Sequence, residues 1–403
     1  MTDSTVPQLA PRARITLAAG GWVLIAALII VASIVIFAFL GPMLGERPIG
    51  DGRDPATYGF DLTHLSVPKE ALVASGNPRD FLKSLDRPFF LAGQKIAPRN
   101  EAERKKYAVS TDRVIGITVN GETRAYPLQL MNVHEIVNDV LGDVPIAVTY
   151  SPLCDSAVVF DRRVGGKCVK FGVSGLLLNS NLVMYELPDP TCGAAIDLDQ
   201  GNSAHVPSLW SQLAFRAIAG PASTTESRLT LMSGTQVCTW AAWLLLHPET
   251  TVALPNDSDF RRMKETDYER YWLEGNVDFP VVAINLTDPS ERTIPFAEIA
   301  PTVAPLLDTA MDTMVLVIAV QYPSGWKIVP LGMLPKFIDT TTFTADSSTL
   351  GVRAMWRVVP DRGALIQQVD SMPVMVPCRW FAWNAFHPTQ ATITGGFPGL
   401  PSP

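Results

Sequence analysis

The longest run of hydrophobic positions lies near the N-terminus, between Ile15 and Leu40. It reads ITLAAGGWVLIAALIIVASIVIFAFL and contains no charged residue. A helix of this length is long enough to cross a hydrocarbon core of roughly 30 Å. The run also exceeds the apolar stretch of about 7–15 residues that is typical of a secretory signal. The pattern therefore predicts a transmembrane helix over residues 15–41, with the lipid bilayer as its partner.

From Arg113 onwards the hydrophobic positions form short runs that are separated by turn residues. The runs RVIGITVN and ETRAYPL meet at Asn120-Gly121, a dipeptide that favours a tight hairpin turn. Gly165-Gly166 is a second turn signal. Three further runs predict strands, at 144–150, 156–162 and 167–174. This part of the chain is thus predicted to be rich in β-strands.

A different spacing marks LQLMNVHEIVNDVLG, residues 128–142. Its apolar residues recur three and four positions apart, which is the period of an α-helix. On such a helix His134 and Asn138 lie on one face, with Glu135 and Asp139 on the adjacent face. The spacing therefore predicts a helix over this segment.

The second half of the chain repeats motifs of the first half. CTWAAWLLLHP (238–248) and CRWFAWNAFHP (378–388) are identical at six of eleven positions. Further pairs are VIGI (114–117) with VVAI (281–284) and IAVTY (146–150) with IAVQY (318–322). We expect two divergent copies of one strand–hairpin–helix–strand unit, packed together into a β-rich body of the α+β class.

These patterns divide the chain into six parts. They are a cytoplasmic N-terminus (1–14), the transmembrane helix (15–41), a stalk and lead-in segment (42–112), a first repeat unit (113–255), a connector (256–276) and a degenerate second repeat unit (277–403).

Composition and charge exclude two classes of protein. Hydrophobic residues make up 47% of the chain and charged residues 18%, which is too apolar for a disordered chain. The formal net charge is −7, and no extended basic cluster is present in the sequence. Because nucleic acids are bound by basic surfaces, we expect no nucleic acid partner.

The predicted anchor has arginines on both sides, with Arg12 and Arg14 before it and Arg47 and Arg53 after it. The short N-terminal flank favours a cytoplasmic N-terminus, a single-pass topology and an extracytoplasmic body. The five cysteines are an odd number, so at least one lacks an intrachain partner. Such a sparse set argues against a disulfide scaffold.

The HEIVND motif carries the residues with the most chemistry. A histidine and a carboxylate beside a cysteine can form a nucleophile–base–orienter set, with His134, Glu135 and Cys154 as the catalytic candidates. His134 and Cys154 can equally bind a transition metal through nitrogen and sulfur. In a third, structural interpretation these polar residues brace the helix against its neighbours. The second repeat unit has no counterpart of His134 or Cys154, so any such chemistry is expected in the first.

A second set of polar residues follows Cys154 along the chain. Small polar residues beside glycine, and an indole beside an amide, are typical of concave sites for small ligands. The same residues can instead stabilise turns, and a tryptophan can instead fill the core. The ligand-binding candidates are Ser174, Asn179, Asn181, Trp210 and Gln212.

Six motifs of the chain resemble a bacterial family of unknown function, DUF3179. They are RAYPL (124–128), HEIVND (134–139), VTYSPLCDSAVVFDR (148–162), FGVSGLLLNSNLVMYE (171–186), SLWSQ (208–212) and LHPET (246–250). The resemblance implies an exported or membrane-tethered protein, and it implies no particular activity.

The chain departs from the family pattern at two places. Family members have a C-P-L-C pair where this chain has Ser151-Pro152-Leu153-Cys154, so a role that needs two thiolates is not implied here. Residues 187–207 form an insertion before SLWSQ.

These observations favour one function and leave two alternatives open. The leading hypothesis is the binding of a small ligand or a metal ion in the cell envelope. One alternative is a non-catalytic accessory or scaffold subunit with a membrane protein as its partner. The other alternative is a cysteine-dependent enzyme.

Overall fold

The structure is a computed structural model. It describes residues 21–44, 48–191, 205–263, 266, 268–275, 277–283, 294–295, 314–322, 325–331, 343–345, 354–359, 363–369, 373–387 and 392–393. The chain divides into two compact units, Met1–Pro48 and Ile49–Pro403.

The described residues of the first unit form helix α1 (Gly21–Leu44). Among the helices in the described part of the chain, none meets the length and hydropathy that a membrane span requires. The predicted transmembrane helix over 15–41 is therefore not supported, and its first residues, 15–20, lie outside the described residues.

The second unit consists mainly of strands, which confirms the prediction of a β-rich α+β fold. The strands are β1 (Leu72–Ala74), β2 (Leu85–Asp86), β3 (Phe89–Ala92), β4 (Arg113–Val119), β5 (Glu122–Pro127), β6 (Ile136–Leu141), β7 (Val144–Ser151), β8 (Ser156–Asp161), β9 (Arg163–Val164), β10 (Lys167–Leu178), β11 (Asn181–Pro188), β12 (Leu209–Ser211), β13 (Arg216–Ala219), β14 (Gln236–Thr239), β15 (Thr251–Leu254), β16 (Val282–Ala283), β17 (Ile294–Pro295), β18 (Leu316–Tyr322), β19 (Gly325–Pro330), β20 (Phe343–Ala345), β21 (Ala354–Val359), β22 (Gly363–Val369), β23 (Met375–Arg379) and β24 (Thr392–Ile393).

The helices of the second unit are short. They are α2 (Ile96–Glu103), α3 (Leu128–His134), α4 (Pro221–Thr224), α5 (Trp240–Leu246), α6 (Asp257–Met263), α7 (Tyr268–Glu274) and α8 (Trp380–Phe386).

The described strands form five sheets. Their orders are β2-β6-β7-β8, β1-β10-β11-β12-β13 with β9 on β10, β20-β21-β22-β14-β4-β5-β15-β3, β23-β18-β19-β24, and β16-β17. Segment 42–112 contributes β1, β2 and β3 to three of these sheets.

The β2-β6-β7-β8 sheet is covered on both of its faces. Along β8, Ala157 and Val159 pack in one hydrophobic cluster, whereas Val158 and Phe160 pack in another. All four side chains are buried. Since successive side chains of a strand point to opposite faces, this sheet is a central layer of the core.

The predicted hairpin is confirmed. β4 and β5 pair in an antiparallel manner from Val119 and Glu122 back to Val114 and Pro127. Asn120 has φ 49° and Gly121 has φ 84°, the left-handed values that a two-residue hairpin turn requires. The strands predicted at 144–150, 156–162 and 167–174 are also present, as β7, β8 and β10.

The predicted helix over 128–142 is wrong in its second half. Helix α3 ends at His134, and Ile136–Leu141 is strand β6, which pairs with β7. Gly142 and Asp143 have φ values of 53° and 62° and form the turn between the two strands. A strand that is buried on both faces lacks alternation of polar and apolar residues, so its pattern also fits a helix. His134 and Asn138 therefore do not share a helical face.

The two repeat copies are not supported as predicted. VVAI contains only the two-residue strand β16, paired with β17, whereas VIGI belongs to the seven-residue strand β4. IAVQY lies in β18 beside β23, whereas IAVTY lies in β7 between β6 and β8. These two motif pairs therefore do not occupy equivalent places.

A smaller element does recur. Strands β14-β4-β5-β15 have the same order and relative directions as β23-β18-β19-β24, with two antiparallel pairs followed by one parallel pair. Helix α5 follows β14, and helix α8 follows β23. The two motifs that contain paired tryptophans mark this element, so β18 corresponds to β4.

Candidate functional site

His134 forms a hydrogen bond through one ring nitrogen and approaches a carboxylate with the other. Nδ1 lies 2.7 Å from the carbonyl oxygen of Lys83, and Nε2 lies 3.2 Å from Oδ1 of Asp259 on α6. Arg262 of the same helix donates to the carbonyl of Val133 at 2.8 Å. His134 is 6% exposed. The arrangement favours the structural interpretation, in which the imidazole braces α3 against α6.

Cys154 is fully buried at the end of the turn that follows β7. Its Sγ atom lies 3.3 Å from the carbonyl oxygen of Ser180 and donates to it. Burial raises the pKa of this thiol to about 12. Because the thiolate is the reactive form of cysteine, this environment opposes a nucleophilic role at neutral pH.

The structure gives His134 and Cys154 no hydrogen-bonding partner in common among the described residues. The imidazole contacts Lys83 and Asp259, whereas the thiol contacts the carbonyls of Asn179 and Ser180. Within the described ranges, no group of three or more His, Cys, Asp and Glu side chains is arranged to hold a metal ion. The geometry therefore does not favour the predicted metal site.

Gln212 lies at the centre of a buried polar network. Its Oε1 accepts from Ser156 Oγ at 2.7 Å and from Asn181 Nδ2 at 2.8 Å. Its Nε2 donates to Thr149 Oγ1 at 2.9 Å. All four side chains are fully buried. Such a satisfied network fixes the packing of three strands and leaves no group free for a ligand.

Ser174 and Trp210 are also bound within the fold. Ser174 Oγ donates to the carbonyl of Val183 at 2.5 Å and accepts from the backbone N–H of Leu176 at 3.0 Å. The indole N–H of Trp210 donates to Glu186 Oε2 at 2.5 Å, and the ring is fully buried. Both residues have structural roles.

Asn179 forms hydrogen bonds with segment 277–283. Its amide donates to the carbonyl of Val282 at 2.8 Å and accepts from the N–H of the same residue at 2.9 Å. The neighbouring Ser180 donates to the carbonyl of Phe279 at 3.2 Å. These bonds hold segment 277–283 against the turn between β10 and β11.

Glu135 differs from the other candidates, because it lines a cavity. The cavity has a volume of about 170 Å³, and most of its wall is apolar. Strand β10, the turn before Cys154, the loop after β1, α7 and segment 277–283 all contribute to the wall. Its principal lining residues are Glu135, Phe81, Leu153, Leu177, Tyr268 and Phe279.

The carboxyl group of Glu135 has no hydrogen-bonding partner among the described residues. Burial alone raises the pKa of this carboxyl to about 8. Burial, and then the charge of Glu135, raise the pKa of Tyr268 to about 12, and both residues line the cavity. The residue itself has φ 57°, a left-handed value that is uncommon outside glycine. Perturbed pKa values and strained backbone are both features of functional sites.

Comparison with known protein families tests the resemblance predicted from the sequence motifs. Residues 91–192 match the model of the family described as "Protein of unknown function (DUF3179)". The resemblance is confirmed. The match covers a quarter of the chain and does not reach the SLWSQ and LHPET motifs. No curated protein and no solved structure matches the chain.

The DUF3179 match and the candidate site overlap only in part. Glu135, Leu153 and Leu177 lie inside the matched residues, whereas Phe81 lies before them and Tyr268 and Phe279 lie after them. The cavity is therefore completed by residues from outside the DUF3179 match.

Sequence reasoning identified Glu135 but not the residues around it. Tyr268 belongs to the charged segment 256–276, which was predicted to be only a connector. No spacing or motif links Tyr268 or Phe279 to HEIVND, because their proximity arises from long-range packing. The buried ion pairs of Asp155 were missed as well, although Arg379 stands out as the one arginine inside the recurring tryptophan motifs.

Proposed function

We propose that this chain binds a small organic cation in the cavity beside Glu135. The observation that carries the proposal is a partly buried carboxyl group without a hydrogen-bonding partner among the described residues, in a cavity whose wall is otherwise mainly apolar. We propose this cavity in place of a site shared by His134 and Cys154, because the contacts of those two residues favour structural roles.

The chemistry of the wall suits a cation. An ionised carboxylate that is removed from water is unfavourable unless an opposite charge accompanies it. Three aromatic rings, those of Phe81, Tyr268 and Phe279, line the same cavity. The faces of aromatic rings attract organic cations, quaternary ammonium ions in particular. A small ammonium ion would therefore be stabilised by the carboxylate and by the rings together.

Size and long-range charge are compatible with this ligand class. A single water molecule needs a cavity of about 10–15 Å³, so 170 Å³ accommodates a molecule of several heavy atoms. The net charge of −7 also raises the local concentration of cations around the protein.

The experiment is equilibrium binding of tetramethylammonium to the full chain in detergent at pH 8. tert-Butanol serves as a neutral molecule of similar shape. We expect tetramethylammonium to bind more tightly than tert-butanol, and Glu135→Gln to reduce its affinity by about tenfold or more, since hydrogen bonds and ion pairs to charged groups are worth about 1.5–3 kcal/mol.

The matched control is Glu274→Gln, because Glu274 is an exposed glutamate at the end of α7. It should leave the affinity unchanged. Equal affinity for the two probes, or equal effects of the two substitutions, would remove the support for a cation site.

We further propose that the body is extracytoplasmic and is attached to the bilayer by residues 15–41. The support is the uncharged run Ile15–Leu40, together with a disulfide at Cys168, since disulfides persist in oxidising compartments. Protease added to spheroplasts should digest the body, whereas protection until lysis would contradict this placement. A membrane protein partner stays a prediction.

A further inference from the structure

Asp155 is the centre of a second buried cluster. Both of its carboxylate oxygens accept from Arg113 Nη1 at 3.0 Å. Arg379 Nη2 donates to the same carboxylate at 2.9 Å, and the Tyr150 hydroxyl donates to it at 2.7 Å. The Asp155 side chain is completely buried, and those of Arg113 and Arg379 are 10% and 14% exposed.

The cluster contains two guanidinium groups and one carboxylate. Guanidinium groups stay protonated in proteins. Among the described residues, Arg113 forms hydrogen bonds only through Nη1, and its Nε and Nη2 atoms are shielded from solvent and have no partner there. These two nitrogens form the edge of the guanidinium that binds a carboxylate in the two-point manner. Arg113 therefore retains an unused anion-binding edge in a buried position.

Arg113 also lines a cavity of about 320 Å³ under helix α7. Asn132, another lining residue, has a buried Oδ1 atom that lacks a hydrogen-bonding partner in the described part of the chain. Trp272 forms part of the wall and is anchored by a hydrogen bond from its indole N–H to the carbonyl of Pro152 at 2.9 Å. Two residues that line one cavity thus carry an unused donor edge and an unused acceptor.

Two acidic residues of the wall restrict the ligand. The Asp112 carboxylate already accepts from the Val109 N–H at 2.8 Å and from Gln129 Nε2 at 3.2 Å. Glu269, one residue after Tyr268 on α7, lines the cavity and lies close enough to Arg113 to influence it. These negative charges disfavour a dianion such as phosphate. They favour a ligand that also carries a hydrogen-bond donor or a positive group.

We propose that this cavity binds a small carboxylate with a neighbouring hydrogen-bond donor, an α-amino acid or an α-hydroxy acid. The carboxylate would occupy the free Nε and Nη2 edge of Arg113. The amino or hydroxyl group would donate to Asn132 Oδ1 and, for an amino acid, to Glu269. The inference is independent of the cation site proposed for Glu135.

The test is isothermal titration calorimetry of the full chain in detergent. The probes are glycine, sodium lactate, sodium acetate and sodium phosphate. Glycine and lactate should bind saturably and more tightly than acetate, which lacks the neighbouring donor. Phosphate should bind more weakly than glycine and more weakly than lactate. Tighter binding of phosphate, or no saturable binding of any carboxylate, would overturn the proposal.

Two variants locate the binding. Arg113→Lys keeps the charge next to Asp155 but removes the two-point edge, so affinity for glycine should fall by about tenfold or more. The control, Arg163→Lys, alters a largely exposed guanidinium and should have no effect. Equal affinities in these two variants would overturn the assignment.

A third variant covers the case in which Arg113→Lys does not fold. Asn132→Ala should weaken glycine and lactate but leave acetate unchanged, because only the first two use the amide oxygen. If all three affinities stay the same, the proposal is wrong.

Discussion

The guanidinium group of Arg379 lies 2.9 Å from the carboxylate of Asp155, although 224 positions of the chain separate them. Arg379 stands directly before Trp380, where the recurring element of the first half has Thr239 before Trp240. The Thr239 side chain caps helix α5 by accepting from the N–H of Ala242. Arg379 makes no such cap. The same position thus caps a helix in one half and ties the C-terminal part to the DUF3179 match in the other.

Replacing Asp155 by asparagine should destabilise the protein strongly. The substitution leaves the guanidinium groups of Arg113 and Arg379 buried without their counter-charge. Breaking a buried ion pair from one side costs about 3–5 kcal/mol. The measurement is the free energy of unfolding in urea.

A suitable control for Asp155→Asn is Asp257→Asn. Asp257 pairs with Lys105 on the surface, and its side chain is 84% exposed. Exposed ion pairs contribute little, so this variant should unfold almost like the unmodified chain. Similar losses of unfolding free energy in the two variants would mean that the Asp155 cluster does not connect the C-terminal part of the chain to the DUF3179 match.

The ionisation of Glu135 should make stability depend on pH. Burial raises its pKa from the ordinary 4.5 to about 8. Between these values the unfolded chain releases a proton that the folded chain keeps, so the free energy of unfolding falls as pH rises from about 4.5 to about 8. The slope contributed by one group is at most about 1.4 kcal/mol per pH unit.

Glu135→Gln should remove that slope. We expect the variant to be more stable than the unmodified chain at pH 8, with a smaller difference at pH 5. Urea unfolding at both pH values provides the measurement. Parallel pH profiles for the two proteins would show that the carboxyl group is not desolvated in the folded state.

Removing Gln212 should affect folding rather than ligand binding. Gln212→Ala removes one buried hydrogen-bonding partner from each of Ser156, Asn181 and Thr149, and an unsatisfied buried group costs about 1–3 kcal/mol. Gln94→Ala, an exposed change of the same type, is the control. Affinity of the folded variant for tetramethylammonium should be unchanged; a selective loss of affinity would return Gln212 to the list of ligand contacts.

The described free thiols should resist modification in the folded protein. Cys154, Cys238 and Cys378 are all buried, and burial raises the pKa of each. Intact-mass analysis after a short exposure to iodoacetamide should show labelling of these three only once the protein is denatured. Rapid labelling of Cys154 in the native state would instead support the cysteine-dependent enzyme.

Local turn chemistry made part of the fold predictable. Asn120-Gly121 fixes the β4–β5 hairpin because both residues adopt left-handed φ values. The wrong prediction of a helix between residues 135 and 142 arose because the local pattern was ambiguous there. The apolar residues of β6 fit a helical period, whereas Gly142 is the first residue of the hairpin turn between β6 and β7.

The candidate site was predictable only as far as a motif marks it. HEIVND singles out Glu135, but the neighbours of that residue are set by long-range packing. His134, the adjacent residue, faces α6 instead, because Glu135 leaves the helix with a left-handed φ. Similarly, Asn181 and Gln212 were predicted as ligand contacts from two separate motifs, and only the structure reveals that they form a hydrogen bond with each other.

The most direct measurement of the cation site is the titration of the Glu135 carboxyl group. Carbon-13 NMR of the full chain with labelled glutamate, assigned through Glu135→Gln, reports this titration. We predict a pKa of about 8 without ligand and a clear decrease when tetramethylammonium is added, because a bound cation favours the ionised form. An ordinary pKa in the free protein, or a raised value that the cation leaves unchanged, would contradict the proposed function.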